Sequence, residues 1–156
     1  MKPDLKTIEM LLESQNSRGR WSNSYHDDIQ TTIELLDAYE KLKKEEIAVK
    51  IFSAAQLFMR RTRLNKLPFT AFGMVKNARP KGYLLTDFKP GVETTLLHAQ
   101  MCFKMFMISY NIDDYLEGAV SLITVQKNYK TFPATELNEA RKLHDTCVPE
   151  VLKRWV

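Results

Sequence analysis

Residues 8–21 read Ile8-Glu9-Met10-Leu11-Leu12-Glu13-Ser14-Gln15-Asn16-Ser17-Arg18-Gly19-Arg20-Trp21, an apolar helix that runs out in the pattern Gln-x-x-x-Gly-x-Trp. A glycine just past a helix takes the left-handed cap conformation without steric cost. With the chain turned at Gly19, Trp21 can fold back over the last helical turn. Gln15, one turn before the cap, is then placed to bond backbone groups of the next helix with its amide plane under the indole.

Helical spacing continues on both sides of this stretch. The first helix spans about residues 4–15, opens on Asp4 as N-cap and carries Leu5, Ile8, Leu11 and Leu12. A polar loop, Ser22 to Asp27, leads to a second helix at about 28–43, with Ile29, Ile33, Leu36, Tyr39 or Ala38, and Leu42 as its stripe. A third follows almost at once, opened by Glu45-Glu46 and running to about residue 62, so these two must be antiparallel neighbours. Between Lys66 and Gly91 periodicity fails. Three of the six prolines and three of the five glycines fall here, which reads as an ordered loop or short extended pieces inserted at about 66–91. The fourth helix, at about 93–110, is apolar nearly all round and should be the most buried. Asp113-Asp114 cap a fifth, with Tyr115, Leu116, Ala119, Val120, Leu122 and Ile123 inward. A sixth, from about Thr135, presents Leu137, Leu143, Val148, Leu152 and Trp155, and Pro149 should kink or interrupt it near Thr146.

Six helices in three hairpins invite a search for a repeat. Laid over the opening stretch, Leu122 to Phe132 keeps a glutamine, Gln126, and an aromatic six residues later, Phe132, although Lys130 replaces the glycine. A weaker third copy runs from Leu57-Phe58 through Arg61 to Phe69. The Gln15, Gly19, Trp21 pattern resembles the QW motif of the terpenoid-cyclase and prenyltransferase α/α-toroid superfamily, in which such helix ends repeat around a ring of helical hairpins. Only residues 8–21 match that motif well. The resemblance implies an all-α fold of three antiparallel hairpins, half of a toroid in one domain over residues 1–156, with an open apolar edge suited to self-association or to docking on another protein.

The cyclases of that superfamily protonate substrate with an Asp-x-Asp-Asp motif, a carboxylic acid kept protonated by burial and neighbouring charge. Asp27 and Asp28 are the nearest counterpart, with Tyr25 in place of the first Asp; a pair just before a helix also serves as a plain N-cap. Both cysteines have a histidine one helical turn upstream: His98 with Cys102, and His144 with Cys147. Two such helices meeting at those faces would offer two imidazoles and two thiolates to a tetrahedral zinc, whereas the plainer reading is two buried thiols beside hydrogen-bonded histidines. No cofactor is expected, with zinc the one the pattern would admit. A Gly-rich phosphate loop and a Gly-x-Ser-x-Gly elbow are missing from the sequence, so nucleotide hydrolysis and serine chemistry have no support.

Charge is uneven. The 156 residues carry a net +4, with 44% hydrophobic and 27% charged side chains and a pI near 9.0, which describes a globular chain able to meet an anionic partner. From Lys41 to Lys66 there are eight positive and two negative side chains, among them Arg60, Arg61 and Arg63. The insertion adds Lys76, Arg79, Lys81 and Lys89, with Phe72, Tyr83 and Phe88 interleaved, a composition that grips phosphates and stacks on bases, and also one that marks a solvated helix end. No apolar run is long enough to span a bilayer, the N-terminus has no signal core, and the two cysteines read as reduced thiols, so the expected compartment is the cytoplasm. The reading is a small, non-enzymatic protein-interaction module. A toroid-type enzyme acting on an isoprenoid, peptide or glycan, and a nucleic-acid binder through the basic 60–89 region, are the alternatives.

Overall fold

Three of the described helices, those starting at Leu5, Tyr25 and Ile112, begin where a short polar side chain accepts a free amide group. The structure, a computed structural model, describes residues 4–61 and 91–156. Arg63, Lys76, Arg79, Lys81, Tyr83 and the rest of the 62–90 stretch lie outside the described residues. Two compact units divide the chain at residue 62; among the described residues each has three helices and no strand occurs.

In the first unit, α1 (Leu5–Ser14) starts on Asp4, whose Oδ1 accepts the Lys6 amide at 3.0 Å while Oδ2 accepts the Thr7 hydroxyl at 2.9 Å. α2 (Tyr25–Leu42) starts four residues before Ile29 opens its apolar pattern, because Ser24 Oγ accepts the Asp27 amide at 3.2 Å and brings Tyr25, His26 and Asp27 into the first turn. Its buried stripe is Asp28, Ile29, Thr32, Leu35, Leu36, Ala38 and Leu42; Thr32 takes an inward position and returns its hydroxyl to the Asp28 carbonyl at 2.9 Å, leaving Ile33 half-buried. α3 (Ile47–Arg61) follows after four residues, antiparallel to α2, and also packs against α1. Ile8, Leu35, Ala38, Leu42, Ile51 and Ala54 form the shared core. A side chain such as Ile51, fully removed from water, contributes roughly 2 kcal/mol by burial.

In the second unit, α4 (Val92–Ser109) packs against both α5 (Ile112–Asn128) and α6 (Ala134–Trp155). Ten of its residues are buried, as an all-round apolar helix requires. It ends at Tyr110, held left-handed at φ 53° with its amide bonded to the Phe106 carbonyl at 2.8 Å, and Asn111 caps α5 by accepting the Asp113 amide at 3.0 Å. The cap is therefore Asn111 and not the Asp pair, and Asp114 accepts the Ser109 hydroxyl at 2.8 Å.

The inward face of α5 departs from the expectation. Asp114, Glu117, Gly118, Ser121, Leu122 and Val125 are buried, whereas Ile123 is 60% exposed. Gly118 sets this rotation. A Cβ there would lie 2.7 Å from the Phe103 ring and 3.1 Å from Cys102 Cβ, so only glycine lets α5 approach α4 so closely. α6 runs unbroken through Pro149, whose missing N–H leaves the Asp145 carbonyl without its helical donor at an exposed position. Its buried positions are Leu137, Ala140 and Cys147, while Leu152 is 56% exposed. Among the described residues no helix is long and apolar enough to cross a membrane.

Replacing Gly118 by Ala forces a methyl group against Phe103 and Cys102, and overpacking of this kind costs about 1–3 kcal/mol. Chemical denaturation of Gly118→Ala should show that loss, and a variant as stable as the parent would refute the close-approach account.

Candidate functional site

The end of α1 is closed by three side chains. Gly19 is left-handed at φ 80° and its amide bonds the Asn16 carbonyl at 2.9 Å. Gln15 Nε2 donates to the Gly19 carbonyl at 3.0 Å and to the Ala54 carbonyl of α3 at 2.9 Å. Trp21 Nε1 donates to the Leu11 carbonyl at 2.7 Å, one of the four that a helix C-terminus leaves without an internal donor, and its indole lies 6.0 Å from the Phe58 ring. The helix that Gln15 reaches is α3 and not the next one in sequence. Gly19 is required twice over, because a Cβ on it would stand 3.0 Å from the Phe58 backbone nitrogen, besides the positive φ. Asn16 completes the turn, its Oδ1 accepting the Arg18 and Arg20 amides at 2.9 and 3.0 Å.

Asp28 belongs to this construction. It is fully buried in the first turn of α2, where Oδ2 accepts Arg20 Nε at 2.8 Å and Oδ1 accepts the Ser22 hydroxyl at 2.8 Å. The Arg20 guanidinium also stacks on the Tyr25 ring, 3.9 Å from its centroid. Asp27, beside it in sequence, is exposed. One carboxylate of the pair thus ties the loop to α2 and the other faces water.

The cysteine and histidine pairs separate. His98 Nε2 lies 3.6 Å from both Cys102 Sγ and Glu117 Oε1, all three side chains buried between α4 and α5. His144 Nε2 shares a 2.8 Å hydrogen bond with the Tyr115 hydroxyl and sits edge-on to Phe103 at 5.5 Å. The Cys147 thiol donates to the Phe103 carbonyl at 3.5 Å, and burial pushes its pKa up to about 12, so it stays protonated at neutral pH. Burial, followed by the neighbouring Cys147, also raises the Tyr115 pKa. Among the described residues no group of three or more His, Cys, Asp or Glu could hold a metal ion. In the second copy of the motif, Gln126 is exposed with its side-chain amide against the Arg141 guanidinium, while Phe132 packs on the core. Arg60 and Arg61 are exposed in the last turn of α3.

A different feature forms at the other end of α3. Leu5, Glu9, Leu12 and Glu13 follow one another at helical spacing along a single face of α1. That face meets Glu45, Glu46 and Ile47, where α3 begins, across a groove of about 720 Å³. Leu12 and Ile47 rest on the core behind them, and Leu5 is 47% exposed. All four glutamates are exposed, with Lys50 the one basic residue in the lining. A shallower hollow of about 300 Å³ on the α2 side of α1 adds Glu34 and Asp37. The groove is hidden in the sequence, since its glutamates serve equally as an ordinary solvent face and as the acidic start of a helix; the run Leu5, Glu9, Leu12, Glu13 is the signal along the chain that points to it.

The described fold and site define a small all-α protein, two three-helix units with an acidic, apolar-floored groove in the first. Compared with protein-family models, with curated proteins and with solved structures, the chain matches none.

If Asp28 anchors the loop, Asp28→Asn weakens two hydrogen bonds to a buried carboxylate and should cost about 2–3 kcal/mol in denaturant unfolding. Asp27→Asn, at an exposed position, should stay within about 0.5 kcal/mol of the parent. Equal effects at the two positions would contradict this assignment.

Proposed function

We propose that this chain is a non-enzymatic helical module that binds another protein, its helices arranged as toroid-type hairpins. The observation that carries the reading is the groove between α1 and the start of α3, where Leu5, Leu12 and Ile47 offer apolar surface inside a charged rim. Supporting it, three of the side chains suited to acid–base or nucleophilic chemistry are engaged in holding the fold. Asp28 binds Arg20 and Ser22, His144 bonds Tyr115, and Cys147 caps a carbonyl with a thiol that burial keeps protonated. The antiparallel packing of α2 and α3 across a four-residue connection supports the hairpin arrangement. Arg60 and Arg61, exposed together, favour an anionic partner as a second reading.

Photo-crosslinking tests the first reading. With p-benzoylphenylalanine in place of Glu13, irradiation in cell extract should give a discrete protein adduct, and the same residue in place of the exposed Arg18 should not. Adducts from neither position, or the same smear from both, would remove it.

A further inference from the structure

We infer that the α1–α3 groove accepts a basic amphipathic helix of a partner protein. This rests on the binding-module reading and adds the chemistry of the partner. Four carboxylates, Glu9, Glu13, Glu45 and Glu46, stand around the groove against the single ammonium of Lys50, on a chain whose net charge is +4. The lining of the groove is therefore acidic on a basic protein, while exposed Lys43 and Lys44 precede Glu45 in the chain. The four carboxylates of the lining disfavour phosphate and favour Lys- or Arg-rich protein segments.

The apolar floor narrows the choice further. Leu5 and Leu12 are seven residues apart on one face of α1, two helical turns or about 10.5 Å, and Ile47 lies on the opposite wall. A helix laid alongside α1 with apolar residues at i, i+3 or i+4, and i+7 meets this spacing and carries its basic residues on both flanks toward the glutamates. Burial of the apolar side chains supplies the affinity, and the rim supplies attraction and selects the sign of charge.

The probes are two fluorescein-labelled 14-residue peptides, one of leucine and lysine with leucine at i, i+3, i+4 and i+7, and one with every lysine changed to glutamate. Both are titrated into the full chain by fluorescence anisotropy. The lysine peptide should bind and the glutamate peptide should not. Changing Glu9, Glu13, Glu45 and Glu46 together to Gln should raise the Kd for the lysine peptide about tenfold, since four exposed ion pairs contribute a few tenths of a kcal/mol each. Leu5→Gln, which leaves the rim intact, should weaken binding as well. An unchanged Kd in the four-residue variant, equal binding of the glutamate peptide, or no binding of either would overturn the inference. So would light scattering showing a dimer that the four-residue variant dissolves, because a second copy would then occupy the groove. None of these results depends on the crosslinking experiment, so the partner chemistry can fail while the binding-module reading stands.

Discussion

A helix that stops inside a protein leaves its last carbonyls without donors, and how they are satisfied decides where the chain goes next. In the first unit, the Leu11 carbonyl receives the indole N–H of Trp21, while the amide of Gln15 spans the Gly19 carbonyl on one side and the Ala54 carbonyl on the other. Gly19 sits so near the α3 backbone that no side chain fits between. The turn, the end of α1 and the middle of α3 are thereby fixed to one another. Arg20 and Ser22 extend the arrangement to Asp28 and so to the start of α2. Because α1 is held in place at this end, its opposite face is presented beside the start of α3, and the acidic groove follows from that placement.

The second unit depends on close approach. Gly118 removes the side chain that would keep α5 away from Phe103 and Cys102, and the face brought inward is rich in polar groups, with Asp114, Glu117 and Ser121 buried beside Leu122 and Val125. These groups must be satisfied inside the unit. Asp114 receives the Ser109 hydroxyl, and Glu117 lies next to His98, which in turn lies against Cys102. An aromatic cluster of Phe103, Phe106 and Tyr115, with His144 at its edge, fills the space toward α6.

Much of the helical pattern was legible because it rests on apolar spacing. α4 reads as buried from Leu96 to Phe106 and is buried. The readings diverge from the structure where a polar residue does the positioning. Ser24 starts α2 at Tyr25, four residues before Ile29 opens its hydrophobic stripe, and Asn111 caps α5 in place of the two aspartates. The inward side of α5 could not be read from hydrophobicity, since half of it is Asp, Glu and Ser, and a lone glycine in a helix does not announce a helix crossing. Gln15, Gly19 and Trp21 were recognisable as a unit by spacing, yet their contact with α3 joins residues 39 positions apart. The groove was less legible still, because Glu9 and Glu13 come next to Glu45 and Glu46 only through tertiary packing. His98 with Cys102 follow helical spacing, while His144 and Cys147 turn to Tyr115 and Phe103, a difference set by neighbours that spacing does not specify.

The account depends most on the seat of Trp21. Hydrogen exchange of its indole N–H, followed by NMR with Trp155→Phe to assign the signal, measures that seat directly. The account predicts exchange as slow as that of the α3 backbone amides, because the Leu11 bond breaks only when the unit opens. Exchange at the rate of a free indole would mean that the clamp does not hold α1.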